Sequence, residues 1–316
     1  MNQCLKFISP SSLKTAVLFL VFNRLDKTKE VFQAIRKAKP PRLYIAADGA
    51  RANKAGEHDQ VKAVREYIIQ NIDWDCKIKT LFRNQNLGCK YAVSEAITWF
   101  FENEERGIIL EDDCLPSQSF FWYCEELLIK YNEDNSIYLV SADSRGSNYV
   151  RIKEDYAFCK YPLIWGWASW ARVWKNYDAE LEDWPEQKWV LPDSISGYKQ
   201  TVMFWRQMFQ KMYDNQLDTW DYQLAYLTLK NKGKCIVPKV NLVSNIGFGD
   251  NASHTFDNNS KKANRKRYDI NIPLNHSPKL ESERKINKYF DKYEFFLKPK
   301  SKIGRNIYKF IRMIGL

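Results

Sequence analysis

Apolar runs alternate with amphipathic stretches along the first half of the chain. Apolar runs predict strands over residues 16–22, 43–47, 107–111 and 137–141, and a further strand is predicted over 76–82. Apolar residues at helical spacing predict helices between them, near 31–38, 59–72, 89–100 and 120–131. Continuous apolar strands are typical of a sheet buried on both faces. The alternation therefore predicts an α/β fold with a mainly parallel sheet flanked by helices.

The second half has a different pattern. Residues 161–189 are rich in Trp and lack clear periodicity. Residues 194–213 and 221–232 predict helices, and short strands are expected near 235–243. The polar segment 247–268 predicts a mobile loop. We therefore expect one domain over residues 1–276.

The C-terminal segment 277–316 predicts a basic amphipathic helical tail. Its last 19 residues hold six Lys or Arg and no Asp or Glu, which is +6 of the net charge of +11. Such a helix can lie on an anionic membrane surface. The alternative is a helix packed on the domain, at least for the first half of the tail.

The net charge and the lengths of the apolar runs limit where the protein can be located and what it can bind. A charge of +11 in 316 residues could favour nucleic acid, but the tail holds much of it and no nucleic-acid motif is present, so no nucleic-acid partner is expected. No early apolar run has the length of a membrane span or the layout of a signal peptide. The sequence thus predicts a cytoplasmic protein, peripheral on the inner face of the cell membrane.

The acidic triplet Glu111-Asp112-Asp113 is the strongest candidate for chemistry. It follows a strand predicted to be buried, where carboxylates need a positive partner. In open α/β sheets ligands bind at that end of the strands. The triplet predicts a crevice that holds a cation or sugar hydroxyls; the alternative is a solvated acidic turn.

Three other segments are expected at the same crevice. Phe22-Asn23-Arg24 and Asp48-Gly49 each end a predicted strand, and Trp220-Asp221 introduces a predicted helix. The chain has only three His residues and no Walker A, G-x-G-x-x-G, H-E-x-x-H or G-x-S-x-G motif. A serine-hydrolase triad or a zinc site built from several His residues is therefore not expected.

The motifs above occur in a fixed order together with three others: Asn-Leu-Gly at 86–88, Gly-Trp at 166–167, and Gly-Phe-Gly with Ser-His at 247–254. This order resembles that of GT-A fold glycosyltransferases. The resemblance covers about residues 15–256. It is strongest to the inverting β-N-acetylglucosaminyltransferases that modify mannosyl glycoproteins and to their bacterial relatives, which are similar to glycosyltransferase family 2.

The resemblance implies a role for each matching donor-site residue. Arg24 would lie near the base or diphosphate of a UDP-sugar, and Asp48 would bind the base or ribose. Glu111 would contact sugar hydroxyls, and Asp112 the ribose or sugar.

The resemblance also implies a metal ion and a catalytic base. Asp113 would bind Mn²⁺ or Mg²⁺, unless it belongs to a structural turn. Asp221 matches the catalytic base, with a helix cap as the alternative and Asp218 as a competitor. His254 would be a second metal ligand or would lie in solvent.

Aromatic and basic clusters complete the candidates. Trp165, Gly166, Trp167 and Trp170 form the densest aromatic cluster. Core packing is expected for at least two of these Trp residues, and one could form a platform for a donor or acceptor sugar. Gly166 would allow close approach of a ligand, so we place Gly166 and Trp167 in the donor site. The basic run 261–267 either closes over the diphosphate or is solvated.

These features predict a metal-dependent inverting hexosyltransferase. It would move a sugar, foremost N-acetylglucosamine, from a UDP-sugar to a hydroxyl of a glycan acceptor. Its location predicts a lipid-linked acceptor in lipopolysaccharide, capsule or related surface-glycan synthesis. The alternatives are a sugar-nucleotide pyrophosphorylase and a non-enzymatic nucleic-acid-binding protein.

Overall fold

Eight strands form one mixed sheet and two short strands pair beside it in the computed structural model, which describes residues 7–146, 150, 152, 154–191, 195–248, 263–276 and 280–297. The described strands are β1 (Ala16–Val21), β2 (Arg42–Ala47), β3 (Lys77–Phe82), β4 (Arg106–Glu111), β5 (Cys114–Pro116), β6 (Ile137–Ser141), β7 (Tyr156–Cys159), β8 (Trp167–Trp170), β9 (Lys234–Pro238) and β10 (Val243–Asn245). The described helices are α1 (Leu25–Ala38), α2 (Glu57–Gln70), α3 (Gly88–Phe101), α4 (Ser119–Lys130), α5 (Ala171–Trp174), α6 (Trp184–Gln187), α7 (Lys199–Tyr213), α8 (Asp221–Lys230) and α9 (Leu280–Tyr293).

The first four large strands form a parallel half-sheet. The strand order is β3-β2-β1-β4-β8-β6-β9-β7, and β1 runs parallel to both β2 and β4. All six residues of β1 are buried, as its uninterrupted apolar run predicted. The five predicted strands of the first half are confirmed as β1, β2, β3, β4 and β6.

The other half of the sheet is mixed. β8 lies antiparallel between β4 and β6, and β7 is antiparallel to β9. The sequence did not predict β8, because its four residues show no alternation of apolar and polar positions. Its two indoles, Trp167 and Trp170, are each 1% exposed. The predicted mainly parallel sheet is therefore correct for its first half, whereas the second half contains antiparallel strands.

The small sheet brings a late segment of the chain to the acidic triplet. β10 pairs antiparallel with β5, which follows the triplet directly. The main-chain N–H of Ile246 donates to the carbonyl oxygen of Asp113 at 2.9 Å. The segment that contains Gly247 therefore runs past Asp113.

Helix α9 packs against β7, as the alternative interpretation of the tail stated for its first half. Ile286 and Phe290 are fully buried on this helix. The carboxylate of Asp291 accepts hydrogen bonds from Tyr161 and, at 3.0 Å, from Lys160. Residues 298–316, the most basic part of the predicted tail, lie outside the described residues. Within the described ranges no helix combines the length and the apolar character that crossing a membrane requires.

Candidate active site

The carboxyl ends of β1, β2 and β4 lie at one edge of the sheet because the three strands are parallel neighbours. Arg24 follows β1, Asp48 follows β2, and Asp112 and Asp113 follow β4. The fold therefore brings together at one edge the strand-end segments that the sequence placed in one crevice.

Arg24 joins the acidic triplet to the end of β1. Its guanidinium donates to the carboxylate of Asp112 and, at 3.0 Å, to Oδ2 of Asp113. The side chains of Arg24, Asp112 and Asp113 are 19%, 5% and 14% exposed. Burial lowers the pKa of Arg24, but the two carboxylates raise it by more, so the arginine stays charged. One cation therefore orients two carboxylates, and Asp113 keeps a partly exposed face.

Glu111 connects the triplet to Asp221. Burial is the largest influence on Glu111 and raises its pKa. The negative charges of Asp113, Asp112 and Asp221 raise this pKa further, and Arg24 opposes them. Asp218, three residues before Asp221, accepts from amides at the start of α3, so Asp221 lies in the same region of the sheet edge as the acidic triplet. That region contains more negative charge than Arg24 alone can balance.

Asp48 organises the loop before α3. Its carboxylate accepts hydrogen bonds from the amides of Gly49 (2.9 Å), Leu87 (3.0 Å) and Gly88 (3.2 Å) and from the side chain of Asn86 (2.8 Å). Burial raises the pKa of Asp48, and these backbone hydrogen bonds oppose that shift. Any contact of Asp48 with a nucleotide would be additional to the contacts that fix this loop.

Asp218 binds the next two amides of the same segment. Its carboxylate accepts from the N–H groups of Cys89 (2.9 Å) and Lys90 (2.7 Å) at the beginning of α3. Asn86, although it lies just ahead of the helix, does not cap it. Asn86 donates instead to Asp48 and to the carbonyl of Gly49. A carboxylate distant in sequence satisfies these amides, so short-range spacing could not reveal it.

Asp221 is the first residue of α8 and accepts a hydrogen bond from the hydroxyl of Thr219. Trp220, the preceding residue, is 2% exposed and stacks on Trp167 with ring centroids 5.7 Å apart. The hydroxyl of Tyr177 donates to the carbonyl of Trp220 at 3.0 Å. The aromatic core thus fixes the main chain directly before Asp221.

Cys89 is a half-buried thiol at the start of α3, and sequence reasoning did not single it out. Burial raises its pKa, and Glu111, Asp218, Asp221 and Asp48 raise it further. The charges of four carboxylates, which follow β2, end β4 and lie before and at the start of α8, therefore reach this thiol. The raised pKa keeps the thiol protonated, which disfavours a nucleophilic role.

Asp113 is in close contact with Gly247. A Cβ atom on Gly247 would lie 2.1 Å from Oδ2 of Asp113, so only glycine fits beside this carboxylate in its present position. The amide of Gly247 donates to the side chain of Asn245 at 2.9 Å. The residue predicted as a second metal ligand, His254, lies outside the described residues.

The donor set fits a hard cation only if a ligand supplies further oxygens. Among the described residues, no three His, Cys, Asp or Glu side chains gather as a metal site. Asp113 offers carboxylate oxygen, which Mg²⁺ and Mn²⁺ prefer, within a region of excess negative charge. These ions commonly bind through one or two carboxylates together with substrate phosphates.

The Trp residues of the aromatic cluster differ in burial. Trp167 and Trp170 are buried, as expected for at least two of the Trp residues, whereas Trp165 is half-buried. Gly166 has φ = +61° and lies against Leu110, so its glycine suits the backbone conformation. Trp167 is buried and stacks on Trp220, so its ring has almost no contact with solvent.

A cavity of about 750 Å³ lies between α2 and the end of β3. Its lining includes Arg51, Lys54, Arg65 and Phe82, but none of the carboxylates discussed above. The Arg65 guanidinium donates to the carbonyl of Asp48 at 3.0 Å. The cavity is thus behind the Asp48 loop and separate from the carboxylate crevice.

Comparison with known proteins adds little to this description. No protein-family model and no curated protein sequence matches the chain. Among solved structures, the chain is similar to HddC from Yersinia pseudotuberculosis at 11% identity and a TM-score of 0.31, over 52% of this chain and 80% of HddC. It is also similar to the glycosyltransferase GlyE of Streptococcus pneumoniae TIGR4 at 10% identity and a TM-score of 0.32.

That likeness covers 71% of this chain but only 45% of GlyE. A third similar structure is a UDP-glucose pyrophosphorylase complexed with UDP-glucose, at 10% identity and a TM-score of 0.34, over 72% of this chain and 90% of that protein. Likeness at this level carries no argument about activity. Function must therefore be inferred from the side chains at the sheet edge.

Proposed function

We propose that this chain is a nucleotide-sugar-dependent glycosyltransferase of the GT-A type that transfers a hexose with inversion. The observation that carries the proposal is that Asp48 and Asp218 accept hydrogen bonds from successive amides at the start of α3, which brings the segment before Asp221 to the sheet edge that holds Asp113. Asp113 follows a parallel strand and Asp221 begins a helix from the other half of the chain. Such a transfer requires one group to balance the leaving diphosphate and another to accept a proton.

Asp221 is the proposed general base. It would accept the proton of an acceptor hydroxyl as that oxygen attacks the anomeric carbon of the donor. The hydrogen bond from Thr219 and the buried ring of Trp220 support a fixed position for its carboxylate. Asp218, the competing candidate, already accepts two main-chain hydrogen bonds and is less available.

Asp113 would hold Mn²⁺ or Mg²⁺, and His254 stays a candidate second ligand. When bound, such an ion neutralises the negative charge that develops on the departing nucleoside diphosphate. Arg24 orients the carboxylate of Asp113, and Gly247 leaves room for it.

The remaining donor-site assignments are proposals on the same basis. Arg24, Asp112 and Glu111 line the sheet edge where the diphosphate and sugar would lie, and the Asp48 loop would receive the base or ribose. Gly166 would contribute to the donor site through its backbone before β8. Trp167 would contribute by supporting Trp220, on which its ring stacks. The donor is proposed to be a UDP-sugar, with UDP-N-acetylglucosamine first by the sequence resemblance.

The acceptor is proposed to be a glycan, lipid-linked in surface-glycan synthesis. The support is the composition of residues 298–316, which would attract the chain to the anionic inner face of the cell membrane. This part of the proposal is independent of the chemistry at the sheet edge.

A donor screen tests the proposal directly. Purified protein is incubated with UDP-N-acetylglucosamine, UDP-galactose, UDP-glucose or GDP-mannose, and release of the nucleoside diphosphate is measured. We expect release from one UDP-sugar, loss of release with EDTA and recovery with Mn²⁺. In a parallel incubation with UTP and a sugar 1-phosphate, formation of pyrophosphate and a UDP-sugar would instead support a pyrophosphorylase. Activity that is indifferent to chelation would contradict the role of Asp113, and retained anomeric configuration in the product would contradict inversion.

A further inference from the structure

A cluster of cationic and aromatic side chains lies beside the carboxylate crevice. It consists of Arg145, Trp165, Phe248 and Arg265 around the buried carboxylate of Asp143, and we call it the Trp165 cluster. Its members come from the end of β6, the start of β8 and the segments that follow β10. None of them is used in the chemistry proposed above.

Asp143 holds the two arginines of the cluster in place. Its side chain is 0% exposed, and it accepts hydrogen bonds from Nε of Arg145 and, at 2.8 Å, from Nη1 of Arg265. Arg265 also donates to the hydroxyl of Ser144 at 3.2 Å. Each arginine side chain keeps 16% of its surface exposed. Two guanidiniums are thus fixed by one carboxylate and still reach the surface.

The aromatic part of the cluster is Trp165 with Phe248. The Arg145 guanidinium lies 4.5 Å from the centroid of the Trp165 ring, and the Phe248 ring meets it edge-on at 5.8 Å. Trp165 is half-buried, unlike Trp167 and Trp170. Unlike those two residues, Trp165 therefore keeps aromatic surface that a ligand can reach.

The topology places the cluster next to the crevice. β8 is antiparallel to both β4 and β6, so the carboxyl ends of β4 and β6 lie at the same edge as the start of β8. Phe248 directly follows Gly247, which is in contact with Asp113. Along this edge the side chains change from carboxylates around β2 and β4 to guanidiniums and indole around β6 and β8.

Two carboxylates act on the arginines of the cluster, Asp143 by direct contact and Glu294 through its charge. Burial lowers the pKa of Arg145, but Asp143 and then Glu294, which directly follows α9, raise it by more. Asp143 is the carboxylate that both arginines contact, so two cations share one direct anion. A guanidinium presents five donors in a planar fork that suits carboxylate and phosphate groups.

We propose that the Trp165 cluster is the acceptor subsite and that it selects a glycan with an acidic group, a sugar carboxylate or phosphate. The identification as an acceptor subsite rests on the proposed glycosyltransferase function. The Trp165 ring contacts the apolar face of the sugar, and Arg145 and Arg265 bind the acidic group. Because Asp143 holds both guanidiniums before the ligand arrives, little side-chain freedom is lost on binding.

Sugar binding without donor tests this inference separately from catalysis. Saturation-transfer NMR is recorded for the full-length protein with glucuronate, glucose 6-phosphate and glucose, which differ in the acidic group. We expect the acidic sugars to bind at least about tenfold more tightly than glucose, since hydrogen bonds between charged groups are the strong ones. Whichever acidic sugar binds better identifies the carboxylate or the phosphate as the preferred group.

Three variants localise the effect. R265Q removes one guanidinium while Arg145 still pairs with Asp143, and it should weaken binding of the acidic sugar by about tenfold or more. R267Q removes the same charge two residues away, at an exposed position, and should bind as the wild type does. W165A should weaken binding of all three sugars, and W165F supplies the test if W165A fails to fold.

Equal binding of glucose and the acidic sugars, no binding of any of the three, or unchanged binding by R265Q would overturn the inference. Nucleotide release from the UDP-sugar, with water in place of the acceptor, is measured in parallel for the wild type. Absence of nucleotide release from the wild-type protein would contradict the proposed function. The sugar-binding result would still show whether the Trp165 cluster selects acidic sugars.

Discussion

Asp48 and Asp218 bind successive main-chain amides at the beginning of α3. Asp48 accepts from Leu87 and Gly88, and Asp218 accepts from Cys89 and Lys90. The amino end of a helix is a favourable site for an anion such as a phosphate. Two protein carboxylates already fill this one. A donor diphosphate at the sheet edge would therefore need another source of positive charge, which favours a cation at Asp113 in addition to Arg24.

The same relationship gives Asp218 a structural role. In D218A the amides of Cys89 and Lys90 lose their acceptor, so we expect a loss of about 1–2 kcal/mol in the free energy of unfolding, as for a helix cap. Urea denaturation followed by circular dichroism measures it. D26A is the matched control, because Asp26 is 74% exposed in the first turn of α1, and it should change stability by less than about 0.5 kcal/mol.

Asp221 should show the opposite behaviour. D221N keeps the size of the side chain and removes the base, so we expect kcat for sugar transfer to fall by about 10²–10⁴-fold. Its stability should fall by less than about 1 kcal/mol, because the side chain only assists the start of α8. Transfer kinetics and urea denaturation of D221N and D218N, measured side by side, separate the two residues. If D218N loses transfer while D221N retains it, the base has been assigned to the wrong carboxylate.

Gly247 offers a test of Asp113 that leaves the carboxylate in the sequence. In G247A the new Cβ would lie 2.1 Å from Oδ2 of Asp113, so the carboxylate must move. A displacement of about 1 Å at a reacting site can cost on the order of 100-fold in rate. We therefore expect G247A to transfer sugar poorly and to need more Mn²⁺ for half-maximal activity, as a metal titration would measure.

The matched control for G247A is G197A. A Cβ on Gly197 meets no atom within 4 Å, so this substitution should leave both activity and metal dependence unchanged. Normal metal dependence of G247A would contradict the role of Asp113 as a ligand. Equal loss of activity in both variants would point to a general effect of the added methyl group.

Local patterns sufficed to predict the parallel half of the sheet. The strands around β1 are buried on both faces, so their apolar runs are uninterrupted and visible in the sequence. Arg24, Asp48 and the acidic triplet follow these strands directly, and their convergence follows from parallel pairing alone. For this part of the site, sequence order determines spatial order.

The rest depended on contacts between segments distant in the chain. β8 is four residues long, and its Trp residues suit a core as well as a binding site. Asp218 binds amides about 128 residues earlier, and Gly247 meets Asp113 through the pairing of β10 with β5. The periodicity of apolar residues along the sequence does not reveal such long-range contacts. The Trp165 cluster was visible only as an ambiguous aromatic stretch, because burial distinguishes Trp165 from its neighbours.

The basic segment 298–316 carries the last prediction. A chain truncated after residue 297 retains α9 and the hydrogen bond from the Leu297 amide to the carbonyl of Gln200, so the packed part of the C-terminal region should remain folded. The full chain should sediment with vesicles that contain phosphatidylglycerol but not with phosphatidylcholine alone, because each basic residue near an anionic surface contributes about 1 kcal/mol. The truncated chain should stay in the supernatant, and high salt should release the full chain. If both chains sediment equally, the membrane contact lies elsewhere or does not exist, while the chemistry proposed at the sheet edge is unaffected.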